Sequence, residues 1–241
     1  MAVKKLCGHV AFELTRDCNH IPQCPHCLRG CAENLDIDKD LIRSVLDQFS
    51  HITTLTLTGG EPSLVPELIE YTIQYIIENQ IELGSFYVVT NGRTYSKRMV
   101  RALRKAYKYS FEKELCGLSV SVDRYHADNT ENLHRYEEEE FYTPDKINPD
   151  IDKYLINEGL AYENGIGKRN LSPKQEIDHK YIDFYTANGE DVLVLNDDLI
   201  YISANGNVLL DCDLSYYNQD MYAIGNLRYS NLIDIIEAHI A

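Results

Sequence analysis

The sequence predicts an α/β chain with a barrel-like parallel sheet, on three observations. Four strand-then-helix units follow one another through the first half, which implies parallel strands joined by right-handed crossovers. The polar and cysteine-bearing motifs all fall at the C-terminal ends of those strands, where chemistry gathers in such folds. At 241 residues the chain can bury one substantial core, as a large domain or a domain with a small appendage.

Residues 9 to 15 read as a buried first strand. Asp38 is placed to cap a helix, with Asp40 in its first turn and Leu41, Ile42, Val45, Leu46 and Phe49 at helical spacing on one face. The second strand runs from Thr53 to Thr58 and stops at a double glycine. Pro66 suits the first turn of the next helix, whose Leu68, Ile69, Ile73, Ile76 and Ile77 form a single stripe. Phe86 to Thr90 is the third strand, turned by Asn91-Gly92. Ser96 to about Tyr107 is a basic helix burying Met99, Val100 and Leu103, and Leu118 to Val122 is the fourth strand.

Order fades after His126. Residues 126 to 186 are rich in Asp, Glu, Asn and Tyr, with an acidic run from Glu137 to Glu140 that reads as a solvated face and an irregular fifth unit expected around Lys153 to Tyr162. From Val192 two apolar runs, 192 to 195 and 199 to 202, precede Asn205-Gly206-Asn207 and a third run, Val208 to Leu210. Asn-Gly between apolar stretches is the strongest short hairpin signal. Ser230 is placed to cap a final helix carrying Leu232, Ile233, Ile235 and Ile236.

The stretch from Phe12 to Cys31, FELTRDCNHIPQCPHCLRGC, delivers three cysteines to one loop. Cys18, Cys24 and Cys27 are spaced C-x5-C-x2-C, so three thiolates can converge on one metal centre. Iron-sulfur clusters are usually held by four cysteines, and a cluster given three leaves one iron able to take an outside ligand. The competing reading is a structural zinc completed by Cys31, His20 or His26, since zinc takes four N or S ligands in a closed site. A zinc site explains none of the motifs downstream. Gly59-Gly60-Glu61-Pro62 alone would be a strand-end turn, His26 a satisfied loop histidine, and Asn91, Ser121 and Asp123 ordinary turn formers.

Taken together, the triad after the first strand, Gly59-Gly60-Glu61-Pro62 after the second, Thr90-Asn91-Gly92 after the third and Ser119-Val120-Ser121-Val122-Asp123 as the fourth resemble the radical S-adenosylmethionine (radical SAM) enzymes. The usual family spacing is C-x3-C-x2-C, and the first gap here is two residues longer, a minority variant. The resemblance implies a partial (β/α)6 TIM-like barrel over residues 1–186, with the cluster loop at 16–31. Residues 187–241 then form a hairpin-plus-helix appendage, resembling a truncated form of the extension in peptide-modifying members. It implies one four-iron four-sulfur cluster on Cys18, Cys24 and Cys27, and S-adenosyl-L-methionine as cofactor. Gly59, Gly60, Glu61 and Pro62 would receive its methionyl ammonium, His26 would pack near its adenine, and Asn91, Ser121 and Asp123 would contact its ribose and carboxylate. The expected chemistry is reductive cleavage of that cofactor and hydrogen abstraction from a peptide or protein, with a small metabolite as the alternative substrate. An electron donor such as flavodoxin or ferredoxin follows from the same resemblance. A non-enzymatic zinc or iron-sulfur module is the alternative from another class.

Composition narrows the partners. With 23 Lys+Arg against 38 Asp+Glu the net charge is −15, which repels phosphate backbones and anionic membranes, so neither nucleic acid nor a membrane is expected. The first residues make no signal peptide, and no run approaches the roughly 20 apolar residues of a spanning helix. A cytoplasmic protein is expected, its seven cysteines reduced. Cys212 resembles an auxiliary-cluster ligand position but has no companion cysteines, so one cluster is expected, with Cys116 and Cys212 as buried small apolar residues. The 18 tyrosines read as packing and surface.

Overall fold

Eight strands make one sheet in the order β4-β3-β2-β1-β6-β7-β8, with β5 paired to β6. The computed structural model describes residues 5–126, 132–145, 153–183 and 191–241. The strands are β1 (Lys5–Glu13), β2 (Phe49–Thr58), β3 (Glu82–Thr90), β4 (Gly117–Val120), β5 (His179–Asp183), β6 (Asp191–Ile202), β7 (Asn207–Leu209) and β8 (Gly225–Asn226). The helices are α1 (Lys39–Leu46), α2 (Pro66–Glu78), α3 (Lys97–Tyr109), α4 (Leu133–Tyr136), α5 (Gly159–Glu163), α6 (Tyr216–Tyr222) and α7 (Leu232–Ile240). β4, β3, β2, β1 and β6 run parallel, and the remaining pairings are antiparallel.

The helix-forming signals act locally as read. The Asp38 side chain accepts from Asp40 N and starts α1, Pro66 stands in the first turn of α2, and Ser96 accepts from Met99 N to start α3. Leu41, Ile42 and Val45 of α1, Leu68, Ile69 and Ile73 of α2, Met99, Val100 and Leu103 of α3, and Leu232, Ile233 and Ile236 of α7 enter one core. From the sheet they meet Val10 and Phe12 of β1, Leu55 and Leu57 of β2, Phe86 and Val88 of β3, and Leu118 and Val120 of β4. Side chains alternate across a strand, so the intervening residues face away from the helices. These are polar or half-exposed: Thr54, Thr56 and Thr58 on β2, Tyr87 and Val89 on β3.

The structure corrects the sequence reading at several places. The sheet is open, with β4 and β8 at its ends, and the described residues do not contain six strand-helix units. The fifth parallel strand is β6, which pairs with β1 on the side opposite β2. The stretch read as a fifth unit near 153–162 holds the short α5. The two runs 192 to 195 and 199 to 202, read as separate and as part of an appendage, are one strand in the middle of the sheet. The register against β1 shifts between Cys7 and His9, which absorbs the polar residues between the runs as a bulge. Phe49, read on the face of α1, opens β2 because α1 stops at Leu46. The final helix is capped by Asn231, one residue past Ser230. Glu139 in the acidic run is buried and takes Arg104 on both carboxylate oxygens at 2.8 and 2.7 Å, so only its neighbours form a solvated face. No helix among the described residues is long and apolar enough to cross a membrane.

Candidate functional site

A cavity of about 510 Å³ opens at the C-terminal ends of β1 to β4. Cys18, Cys24, Cys27 and His26 line it from the loop after β1, and Gly59, Gly60 and Glu61 from the loop after β2. Asn91 and Ser121 reach it from the ends of β3 and β4. Pro62 lies outside it, as the first residue of a buried 3-10 turn over Pro62–Leu64. Asp123 also lies outside the lining, one step behind His126, which is in it. Tyr154, Leu155 and Ile156 close the far wall.

The loop after β2 is bound tightly to the start of the cysteine loop. Gly60 N donates to Thr15 O at 2.7 Å and Glu61 N to Asp17 O at 2.8 Å. A Cβ on Gly60 would stand 2.2 Å from Asp17 O, so only glycine allows this approach. The Glu61 carboxylate, 1% exposed, is occupied within the protein. One oxygen accepts from Ser63 N at 2.9 Å and the Thr90 hydroxyl at 2.7 Å, and the other from Asn91 N at 2.7 Å. Glu61 is thus a clamp that joins the ends of β2 and β3, and of about four acceptor positions it has one left to offer the cavity. Asn91 carries the clamp onward: its amide donates to Asn19 Oδ1 at 2.9 Å and to the Cys18 sulfur at 3.7 Å.

On the opposite side α5 braces the cysteine loop. Leu160 N donates to Cys27 O at 2.8 Å and the Asn164 amide to Pro25 O at 3.0 Å. Gly159 makes the contact possible: its φ is +53°, and a Cβ there would lie 2.3 Å from Leu28 O.

All seven cysteines are free thiols. Burial raises the Cys18 thiol, and burial together with Cys27, Cys18 and Asp123 pushes Cys24 up to about 12. Cys18 and Cys27 therefore both sit close enough to Cys24 to oppose its ionisation. Among the described residues, His20–Cys24–His126 and His26–Asp123–His126 are the groups whose ligand atoms all lie within 4.8 Å of one another. The three thiols do not form such a group, so at least one pair of their sulfurs stands more than 4.8 Å apart, wider than the ~3.8 Å between sulfurs that share one tetrahedral zinc with ~2.3 Å bonds. Three soft sulfur donors, too widely set for one ion and facing a common cavity, fit a multi-iron cluster.

Cys24 also has a partner that the sequence did not announce. His126 Nε2 lies 3.3 Å from its sulfur, and His126 Nδ1 lies 2.8 Å from Asp123 Oδ2. A carboxylate only accepts, so the proton of the neutral ring sits on Nδ1 and Nε2 faces the thiol as acceptor. Burial alone would raise Asp123, but the hydrogen bond from His126, helped by the one from Tyr125 N, holds it below the usual carboxylate range. His26 stacks on Tyr125 with ring centroids 4.1 Å apart and meets His126 edge-on at 5.5 Å. His126 closes a short polar turn where hydrophobic periodicity ends, and no pattern in the sequence marks it.

The raised Cys24 thiol sets a pH dependence for the metal-free chain. The unfolded thiol ionises near 9.0 and the folded one near about 12, so above pH 9 the unfolded chain holds fewer protons and stability falls as pH rises. Cys7, pushed to about 12 by burial, acts in the same direction. Thermal unfolding of the metal-free chain should therefore drop between pH 8 and 10.5. The drop should shrink once Cys24 is held as a metal-bound thiolate, leaving the share due to Cys7.

Beneath the loop lies a second buried carboxylate. Glu13, at the end of β1 and 0% exposed, accepts from Tyr201 Oη and Gln219 Nε2 at 3.0 Å each. It also accepts from Ala204 N at 2.9 Å and Arg16 Nε at 3.2 Å. The Arg16 guanidinium continues to Gln219 Oε1 at 2.8 Å and to Glu33 at 2.9 Å. This network ties β1 to the β6–β7 turn and to α6. Of the other cysteines, Cys116 is buried, Cys212 is half-buried against a small cluster of Ala11, Tyr201, Leu209 and Leu214, and Cys31 is exposed.

No family model and no curated protein matches the chain. Solved structures resemble it, among them the two that follow. Native anSMEcpe with bound AdoMet and Cp18Cys peptide is 14% identical, with a TM-score of 0.54 over 97% of this chain and 80% of that one. SuiB of Streptococcus suis bound to S-adenosylmethionine is 13% identical, with a TM-score of 0.44 over 97% of this chain and 64% of that one. The first likeness establishes a shared fold: the chain has the α/β architecture of that structure.

Proposed function

We propose that the chain is a radical SAM enzyme acting on a peptide or protein, working on a partial barrel whose open, polar sheet face admits the substrate. One observation carries this reading: Cys18, Cys24 and Cys27 share a single cavity with Gly59, Gly60, Glu61 and Asn91 at the strand ends. The three thiolates would hold a four-iron four-sulfur cluster. When bound, such a cluster offers an open iron site and the electron that cleaves S-adenosylmethionine to methionine and a 5′-deoxyadenosyl radical that abstracts a substrate hydrogen. The chain's own share is placement. The loop of Gly59 and Gly60 presents backbone at the cavity, Glu61 fixes that loop against β3, Asn91 positions Cys18, and Asp123 orients His126 on Cys24. The peptide substrate is favoured by the peptide bound in anSMEcpe and by the tail resemblance. Seven free thiols favour a reducing, cytoplasmic setting.

A second reading has an observation of its own. His20, Cys24 and His126 lie close enough to hold a single ion, so a zinc centre without redox chemistry is the alternative. Anaerobic reconstitution, reduction with dithionite and an assay for 5′-deoxyadenosine separate the two. The chain should form 5′-deoxyadenosine from S-adenosylmethionine, and Cys24→Ala should abolish it. A chain loaded with iron and sulfide that leaves the cofactor intact would overturn the enzyme reading.

A further inference from the structure

α3 carries six of the chain's 23 lysines and arginines and no acidic residue, on a protein whose net charge is −15. Two of the six are neutralised: Arg98 pairs with Glu70 and Glu67 on α2, and Arg104 with Glu139. The other four, Lys97, Arg101, Lys105 and Lys108, are exposed. They fall at i, i+4, i+8 and i+11, a single stripe about 16 Å long. None makes an ion pair with a carboxylate among the described residues, although Glu70 beside Arg98 also feels Arg101 and Lys105. Like charges at this spacing weaken a helix, so nothing in the local structure accounts for the stripe.

Its place in the fold suggests what it meets. The N-terminal end of α3 follows the C-terminal end of β3, on the cavity side of the sheet. The intervening residues touch the cysteine loop, Asn91 at the Cys18 sulfur and Thr94 at the Asn19 amide. At that end lies a concavity of about 490 Å³ lined by Lys97, Arg101, Arg104 and Arg135, with Glu138 the acidic group in its lining. Arg135 is fixed there, its guanidinium 3.6 Å from the centre of the Tyr95 ring. A cationic stripe ending in a basic hollow, one short loop from a metal-ligating cysteine, is complementary to an acidic surface that has an electron to deliver.

We propose that the Lys97–Arg101–Lys105–Lys108 stripe and its hollow dock an acidic one-electron donor protein, oriented so that its electron enters the cluster from the Cys18 side. The inference rests on the radical SAM reading. In the step it serves, one electron leaves the reduced donor, which is oxidised by one unit, and the cluster is reduced by one unit. The chain's net charge of −15 opposes such a partner, so the stripe sets both the site and the salt dependence of docking.

The test uses the cluster-loaded full chain and a reduced acidic flavodoxin as probe. Calorimetry gives affinity at low salt and at ~0.3 M salt, and stopped-flow absorbance gives cluster reduction. The triple variant Lys97→Glu, Arg101→Glu, Lys105→Glu should bind at least about tenfold more weakly, lose most of the salt dependence and be reduced correspondingly more slowly by flavodoxin. Reduction by dithionite and thermal stability should stay as in the wild type. Unchanged affinity and salt dependence, with dithionite reduction intact, would overturn the inference alone. A chain that takes up no cluster, or whose cluster dithionite cannot reduce, would overturn the underlying reading and the inference with it. A short RNA or an anionic vesicle bound more tightly than flavodoxin, and lost in the same variant, would assign the stripe to a different partner and overturn the proposal.

Discussion

Replacing Glu13 with glutamine is expected to cost the folded chain about 3–5 kcal/mol, the penalty for breaking a buried ion pair while leaving its partners in place. The carboxylate is fully enclosed and saturated by four donors: Tyr201 Oη, Gln219 Nε2, Ala204 N and Arg16 Nε. Glutamine keeps the shape, removes the charge and turns an NH2 group toward donors, so at least one buried group is orphaned. For a chain of this size the melting temperature should fall on the order of 10 °C. Glu33→Gln supplies the contrast. Glu33 pairs with the same arginine but is 47% exposed, and screening limits such a pair to less than about 1 kcal/mol. Equal losses from the two variants would mean that the buried network does not fasten β1 to β6 and α6.

The second large effect is expected at Glu61. Alanine there leaves Ser63 N, the Thr90 hydroxyl and Asn91 N without their acceptor, at about 1–3 kcal/mol for each buried group that water cannot reach. A total loss of about 3 kcal/mol or more follows, with the end of β3 released from the loop after β2. Asn91 then no longer holds Cys18, and a displacement of about 1 Å at a reacting centre costs on the order of 100-fold in rate. Formation of 5′-deoxyadenosine should drop by about that factor together with the melting temperature. Thr90→Val, which removes one of the three donors, should show a small part of both effects. If Glu61→Ala lowers the rate and leaves the melting temperature unchanged, the carboxylate acts on the cofactor directly and is not a clamp.

The parts of the fold that could be read from the sequence are those fixed by neighbours along the chain. Asp38, Pro66 and Ser96 start helices through contacts within three residues, and Asn205-Gly206 turns β6 into β7 because Gly206 can adopt φ +91°. The short spacing of Cys18, Cys24 and Cys27 keeps them on one loop, and all three line one cavity. What stayed hidden depends on distant partners. Nothing local tells β6 to pair with β1, and Glu13 reads as a strand-ending charge until Gln219 and Tyr201 arrive from the far end of the chain. Glu61, read as a cofactor contact, also ties the loop after β2 to Thr90 and Asn91, 29 and 30 residues on, which nothing local announces. His126 and the Tyr154–Ile156 wall come from a stretch without hydrophobic periodicity, where position is set by the residues packed around it.

In the proposed function, three thiolates hold an iron-sulfur body with a coordination site left open toward the cavity. Iron, acid-labile sulfide and zinc measured per chain after anaerobic reconstitution test it most directly, on the wild type and on Cys18→Ala, Cys24→Ala, Cys27→Ala and Cys212→Ala. About four irons and four sulfides per chain are expected, lost in each triad variant and unchanged in Cys212→Ala. One zinc without sulfide, held as well by the Cys18→Ala and Cys27→Ala variants but lost with His126→Ala, would contradict it.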